Sequence, residues 1–402
     1  MLSFTGYEHG GSAMKIKTAR VMMTLSAAAA LGFGANATAG STDMGDFTFT
    51  YGGYIKLDAM YSDYSDGNPA DGSIGRDFYV PSTTPVGGDS DDGVFDMHAK
   101  QTRFYLGTSG DYDGHKLGGR IEMDFLLSPG GHERVSTSYT PRLRHAFITF
   151  DNWLFGQTWS TFQNVGALPD TLDFIGPAEA TVFQRQAQIR YTSGPWAVAL
   201  ENNDTTIYPG EDQSRISTDS GSLPDLTGRY TFSGDWGNLV VAGLLRQLKW
   251  EDGSTNVDDD LVGYGVSVSG KFNLFARDDF KWMANYGSAM GRYIGLNFAP
   301  GAAADADGDL NEIDSWSAFG AYRHWWNDKY RSTIQAGYLD VDNPGEAGDS
   351  ANKVAWNASV NLIYQPVPKF FFGGEVKYAS REIEDGTDGE FVRFQFSARY
   401  NF

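Results

Sequence analysis

Apolar residues in this chain recur at every second position, in segment after segment. Within residues 47–61, Phe47, Phe49, Tyr51, Ile55, Leu57 and Tyr61 share one parity, while Thr48, Thr50, Lys56 and Asp58 share the other. Successive strand side chains point to opposite faces, so this segment is predicted to be a strand with one apolar and one polar face. The same rule sorts Leu117, Ile121, Met123 and Phe125 from Lys116, Arg120, Glu122 and Asp124. It sorts Val354, Trp356, Val360, Leu362 and Tyr364 from Lys353, Asn357, Ser359 and Asn361, and Val392, Phe394, Phe396, Ala398, Tyr400 and Phe402 from the polar residues between them.

The connections alternate too. Short turns are predicted near 109–114, 151–152, 192–195, 233–237, 273–279, 323–329 and 365–369. Between them fall mostly longer polar loops, at 62–94, 127–140, 161–184, 203–222, 288–312 and 339–351. Short turns at one end and long loops at the other are expected of an up-and-down antiparallel β-barrel in an outer membrane, here all-β with about sixteen strands. A soluble β-sandwich is disfavoured because the alternating segments run about 10 to 13 residues, against about 5 to 6 for a globular strand. Aromatics crowd the strand ends, as at Tyr51, Tyr61, Trp325 and Trp326, where an interfacial girdle would lie. Tyr400 and the terminal Phe402 close an alternating last strand, the expected assembly signal of such a barrel.

The first 39 residues read differently. Met14 opens a segment with a basic start (Lys15, Lys17, Arg20), an apolar run from Val21 to Ala35 and the small residues Ala37-Thr38-Ala39. That order predicts translation from Met14 and an export signal cleaved after Ala39, because the apolar run is too short to span a bilayer. The barrel domain is then residues 40–402.

Composition narrows the function. The 402 residues hold no cysteine, which excludes disulfides, thiolate metal sites and thiol nucleophiles. With 51 Asp and Glu against 31 Lys and Arg the net charge is -20, opposed to nucleic-acid binding. The acid concentrates in predicted long loops, among them Asp63, Asp66, Asp71, Asp77, Asp89, Asp91 and Asp92, then Glu251, Asp252, Asp258, Asp259 and Asp260, and Asp305, Asp307 and Asp309. Bound divalent cations there could bridge the barrel to lipopolysaccharide. The polar parity of the strands leans basic instead. Arg103, Arg120, Arg142, Arg144, Arg185 (or its neighbour Gln186), Arg190, Arg229, Arg331 and Arg393 are predicted to line the lumen. A ladder of permanently charged guanidiniums favours anions, although many of these would also pair with lumen acids.

The third loop, 161–184, is too apolar for a solvated surface: it carries Phe162, Val165, Leu168, Leu172, Phe174 and Ile175. It is predicted to fold inward and narrow the pore, setting Asp170, Asp173 and Glu179 across from Arg142, Arg144 and Arg190. A loop that caps the barrel or contacts a neighbouring subunit is the alternative. No catalytic residue, metal site or cofactor is expected. Asp305-Ala-Asp-Gly-Asp309 lacks the first ligand of a calcium loop, where Ala303 stands, and no second His lies at metal-ligand spacing. His145 shares the parity of Leu143 and Phe147 and is expected to face outward, between subunits rather than as a lipase residue.

Tyr51-Gly-Gly-Tyr-Ile-Lys-Leu-Asp58, Gln101-Thr-Arg-Phe104, and Arg144-His-Ala-Phe147 leading through a short turn to Phe155-Gly-Gln-Thr-Trp-Ser-Thr-Phe162 resemble the DcaP-like porins. The resemblance implies a homotrimer of sixteen-stranded outer-membrane barrels in a Gram-negative cell, with an inward third loop. It implies passage of small anionic solutes, dicarboxylates among them, and a basic pore wall at Arg103, Arg142, Arg144 and Arg190. A general or sugar-preferring pore, with Tyr54, Tyr105 and Trp159 stacking on sugar rings, is one alternative. A closed adhesive barrel is another.

Overall fold

A computed structural model describes residues 40–126, 133–218, 221–252, 257–275 and 277–402. The expected leader, with its start at Met14 and cleavage after Ala39, lies outside the described residues. The rest is a closed barrel. Its wall begins with β1 (Phe47–Tyr64), β2 in two pieces (Val94–His98 and Arg103–Tyr112), β3 (His115–Asp124), β4 (Arg142–Phe150) and β5 (Trp153–Trp159). It continues with β6 (Arg185–Ser193), β7 (Trp196–Glu201), β8 (Asp225–Gly234), β9 (Gly237–Asp252), β10 (Val257–Asn273) and β11 (Asp279–Ser288). It ends with β12 (Asp314–Trp325), β13 (Tyr330–Asp342), β14 (Asn352–Val367), β15 (Phe370–Ile383) and β16 (Asp388–Asn401). Each strand pairs antiparallel with the next, and β16 returns to β1 with Tyr54 opposite Asn401 and Tyr64 opposite Phe391. Sixteen strands therefore close with no free edge between first and last.

Alternation sets the faces as the sequence predicts. Ile55, Leu57 and Tyr61 are exposed on the outside of β1, while Lys56 and Asp58 are buried toward the lumen. In the last strand Phe394, Phe396 and Tyr400 face out and Arg393, Gln395 and Ser397 face in. An apolar outer face at this strand length needs lipid, not water. The β2–β3, β4–β5, β6–β7, β8–β9 and β14–β15 turns have two residues each. Asp113 and Gly114 both take positive φ, the geometry that matches a hairpin turn to strand twist. The terminal Phe402 donates its backbone N–H to the Gly53 carbonyl at 3.1 Å, so the chain end is tied into the seam that closes the barrel.

Two expectations about the wall change. The acids of 251–260 do not form a long loop: Glu251, Asp258, Asp259 and Asp260 lie on β9 and β10, which pair up to Asp252 opposite Val257 and carry the wall outward. Trp325 lines the lumen near the short turns, its ring 3.7 Å from the Arg277 guanidinium carbon, and only Trp326 projects outward as a girdle residue.

More of the lumen is filled than expected. The loop 160–184 enters the barrel as predicted, with Phe162, Ala167, Leu172, Ile175, Ala178 and Val182 buried. Two further loops join it, contrary to the reading of them as outward polar loops. Phe78, Tyr79 and Val80 from 65–93 pack with Ile175 and Ala178 against Tyr64, Ala379 and Phe391 of the wall. Met290, Tyr293, Ile294 and Phe298 from 289–313 pack with Phe162 and Val182 against Leu244, Met283, Phe319 and Leu339. Burying a large apolar side chain contributes roughly 1.5–3 kcal/mol, so these few residues outweigh the polar surroundings of their loops. Thr205–Tyr208, Ile216–Thr218, Ala302–Ala304 and Leu310–Glu312 add a small sheet from the loops after β7 and β11.

Candidate functional site

The basic wall is built on β2, β3 and β4. Alternation turns Arg120, Glu122 and Asp124 to one face of β3, and antiparallel pairing sets Asp124 between Arg103 and Arg142. Arg142 grips Asp124 with both forks, Nε to Oδ1 at 2.9 Å and Nη2 to Oδ2 at 2.8 Å. Arg144 spans both acids, donating from Nε to Glu122 at 2.9 Å and from Nη1 to Asp124 at 3.0 Å. Arg120 reaches Glu122 at 2.6 Å, and Arg103 stands 3.6 Å from each carboxylate. Among the described residues, these four guanidiniums share the two carboxylates. Arginine keeps its proton in any protein, so all four stay charged.

His145 belongs to the same wall, which corrects the outward assignment. A β-bulge shifts the β3–β4 register between Glu122, opposite His145, and Met123, opposite Leu143. The extra residue sends Arg144 and His145 inward together. The His145 Nδ1 lies 2.9 Å from the Thr158 hydroxyl, and both residues are buried.

The third loop is pinned through its main chain. Lys281 donates to the Leu168 carbonyl at 2.6 Å, Asn361 to the Asp170 carbonyl at 2.8 Å, and Lys56 and Gln395 to the Leu172 carbonyl at 2.6 and 2.9 Å. The Leu172 N–H donates to Glu375 at 2.7 Å, and Lys377 donates to the Gly176 carbonyl at 2.8 Å. These wall residues were not foreseen as loop anchors. Their inward parity was readable, but which part of the chain they would meet was not.

The three loop acids pair elsewhere than expected. None bonds to Arg142, Arg144 or Arg190, because the loop crosses to strands β12–β15, although Asp170 and Asp173 line the same narrow cavity as Arg144. Asp170 accepts from Arg331 Nε at 2.6 Å and lies 3.4 Å from Arg323. Burial alone would raise its carboxyl, yet the Arg331 charge and hydrogen bond, with Arg323 and Lys281, hold it well below the usual range. Asp173 is buried and accepts from the backbone N–H groups of Tyr79, Ile175 and Gly176 at 2.9–3.2 Å, joining the first and third loops. Glu179 accepts from Asn357 at 2.7 and 2.5 Å in full burial.

The remaining predicted arginines divide. Arg190 donates to Gln188 at 2.9 Å and to the Trp159 carbonyl, and Arg229 to the Gln163 carbonyl at 3.0 Å. Both therefore brace the start of the third loop. The Arg185 guanidinium lies over the Trp159 ring at 4.4 Å, while its neighbour Gln186 takes the inward strand position. Arg393 is not open to the lumen: it is buried beneath the first loop and donates to Ser62, Tyr64 and the Gly75 carbonyl. In the 305–309 segment the Asp305 carboxylate accepts from the Asp307 and Asp309 backbones, closing a turn.

Beside the third loop lies a cavity of about 140 Å³ whose lining includes Tyr54, Arg103, Arg144, Trp159, Asp170 and Arg399. The Arg399 guanidinium lies over the Tyr54 ring at 3.8 Å. A vestibule of about 1320 Å³ opens toward the short turns; its walls carry Lys271, Arg277, Lys281, Arg323, Arg331 and Lys369 along with acids. Asp170 and Val165 line both spaces. A small cavity rich in arginine thus lies beside a wide mixed one, with Asp170 and Val165 between them.

Comparison with known proteins agrees with the architecture. The outer membrane channel DcaP of Acinetobacter baumannii is 25% identical, with a TM-score of 0.74 over 90% of this chain and 100% of that one. An anion-selective porin from Comamonas acidovorans (12% identical, TM-score 0.54, 89% and 100% covered) has the same fold. So does OmpF of Salmonella typhi (10% identical, TM-score 0.53, 90% and 100% covered). A search of curated proteins found no match. A family model, described as DcaP outer membrane protein, matches residues 50–402. The chain belongs to that family, and its barrel is a porin-type channel of the Gram-negative outer membrane.

Proposed function

We propose that the protein lets small hydrophilic solutes diffuse passively, favours anions such as dicarboxylates, and works as a homotrimer without catalysis or a cofactor. The observation that carries this reading is the shared wall of four guanidiniums on two carboxylates, with Arg399 facing the same narrow cavity. A sugar-stacking pore has less support: Tyr105 lies beneath the Arg120 guanidinium at 3.9 Å, and Trp159 is buried. Tyr105 already carries a guanidinium on one face, and Arg185 stacks on Trp159.

Reversal potentials in planar bilayers under a potassium chloride gradient test the charge preference. Wild type should pass chloride over potassium. One unit charge at about 4 Å is worth about 1 kcal/mol even in bulk water, so Arg399→Gln should lower that ratio about fivefold. Cation preference in the wild-type protein at low salt would sink the reading. A folded trimer without conductance would point instead to a closed adhesive barrel.

A further inference from the structure

Asp170 differs from the other acids of the third loop in how it is held. Asp173 and Glu179 are fixed by backbone N–H groups and by Asn357, and neither reaches solvent. The Asp170 side chain keeps 15% exposure and lines both the narrow cavity and the vestibule. Its grip on the wall is one-pronged. The same Oδ2 takes Arg331 Nε at 2.6 Å and Arg323 Nη1 at 3.4 Å, while Arg331 Nη1 turns to Gln365 and Arg323 Nη2 to Asp279. Carboxylates bind arginine most strongly through two parallel hydrogen bonds, so a single-oxygen contact is the weaker and more exchangeable form. The surroundings resemble a receptor for a flat anion, with Phe371 and Trp325 each 5.3 Å from the Arg331 guanidinium carbon.

The loop does not need this side chain to keep its place. The main chain at Leu168, Asp170 and Leu172 is held by Lys281, Asn361, Lys56, Gln395 and Glu375. Removing the carboxylate would therefore free the arginines without freeing the loop.

We propose that Asp170 is a tethered carboxylate occupying an anion site formed by Arg323 and Arg331, and that a permeating carboxylate solute competes with it there on passing between the two spaces. The inference rests on the anion reading above and adds a residue that sets how tightly a carboxylate is retained. Tethering lets the resident group return as the solute leaves, so a carboxylate is attracted without being trapped. Conduction requires that balance between favourable entry and easy release.

The test is current block by potassium succinate, added from the short-turn side of single channels in potassium chloride. Asp170→Asn and Asp170→Ser should each shift half-block to about tenfold lower succinate, as expected for about 1.4 kcal/mol of relieved competition. Asp170→Glu, which restores a carboxylate, should stay near wild type. Asp235→Asn removes a vestibule acid that contacts neither arginine and should shift half-block less than about twofold. If Asp170→Asn and Asp235→Asn move it equally, the effect is charge alone and the proposal fails; an unchanged or higher value in Asp170→Asn and Asp170→Ser also overturns it. The failures are separable. A cation-selective wild type removes the anion reading and this proposal with it, whereas an anion-selective wild type with unshifted Asp170 variants removes only this one.

Discussion

Neutralising Glu122 and Asp124 together, as E122Q/D124N, is expected to prevent most of the protein from assembling as a folded barrel. Both carboxylates are fully buried and are shared by Arg103, Arg120, Arg142 and Arg144. Buried acids among arginines cost desolvation, but removing them leaves charges that cannot shed their protons. Breaking one buried pair typically costs about 3–5 kcal/mol, a large share of the roughly 5–15 kcal/mol that holds a domain folded. The wet lumen will soften the effect without cancelling it, since Arg144 itself is almost wholly buried. The measurement is the fraction of protein running as a heat-modifiable folded band after refolding, with the urea midpoint of whatever folds. Neutralising an exposed rim pair, Asp328→Asn opposite Arg277, should change the unfolding free energy by less than about 1 kcal/mol. A doubly neutralised protein that folds like wild type and merely gains anion preference would show that the acids tune charge and do not hold the wall.

The different fates of these residues show what the sequence could carry. Face is a local property: in β1, Ile55 and Lys56 are told apart by their immediate neighbours, and the structure places them outside and inside accordingly. The strand count and the position of the short turns follow from the same two-residue period. His145 marks where that logic breaks, because one extra residue in β4 changes parity while leaving composition untouched. Partner choice is not local at all. Asp170 meets Arg331 across 161 residues of chain, and Leu172 meets Glu375 across 203. A reading that placed the loop acids opposite Arg142 and Arg144 had the right loop and the right direction, and Asp170 does share a cavity with Arg144, but it had no means of choosing the arginines that bond it.

The filling of the lumen was hidden for another reason. The third loop was recognisable because its apolar residues are spread through all of it. In the first loop they are confined largely to Phe78, Tyr79 and Val80, set among many aspartates, and an average over the loop reads as solvated. The same holds for Met290 to Phe298 within a loop that ends in Asp305, Asp307 and Asp309. The net charge of -20 therefore does not describe the lumen, where the narrow cavity sets Lys56, Arg103, Arg144 and Arg399 against Asp170 and Asp173.

Glu179→Gln is expected to stabilise the protein at pH 8 and leave it nearly unchanged at pH 4.5. Burial dominates this carboxyl and pushes it up to about 7, although its own backbone, Lys377, Asn357 and Tyr79 all pull the other way. In the unfolded chain the same group titrates near 4.5. Between those values the folded state holds a proton that the unfolded state has released, so stability falls as pH rises from about 4.5 to about 7 and levels off above. The span corresponds to on the order of 3 kcal/mol, an upper bound for a group that local loop opening can hydrate. The charged and titratable groups around it, Lys377, Asp173 and Tyr79, remain in the variant, so the difference in slope isolates Glu179 itself. A glutamine preserves the contact with Asn357 and has no proton to lose. Thermal unfolding of wild type and variant across pH 4–9, followed by loss of the heat-modifiable band, should therefore give curves that meet at low pH and diverge through neutrality. Hydrogen exchange of the 176–182 backbone should accelerate above pH 7 in wild type alone, beyond the intrinsic rise common to both. Parallel curves, or a variant less stable at pH 8, would mean that the buried carboxylate is paid for in its ionised form by Lys377 and Asn357.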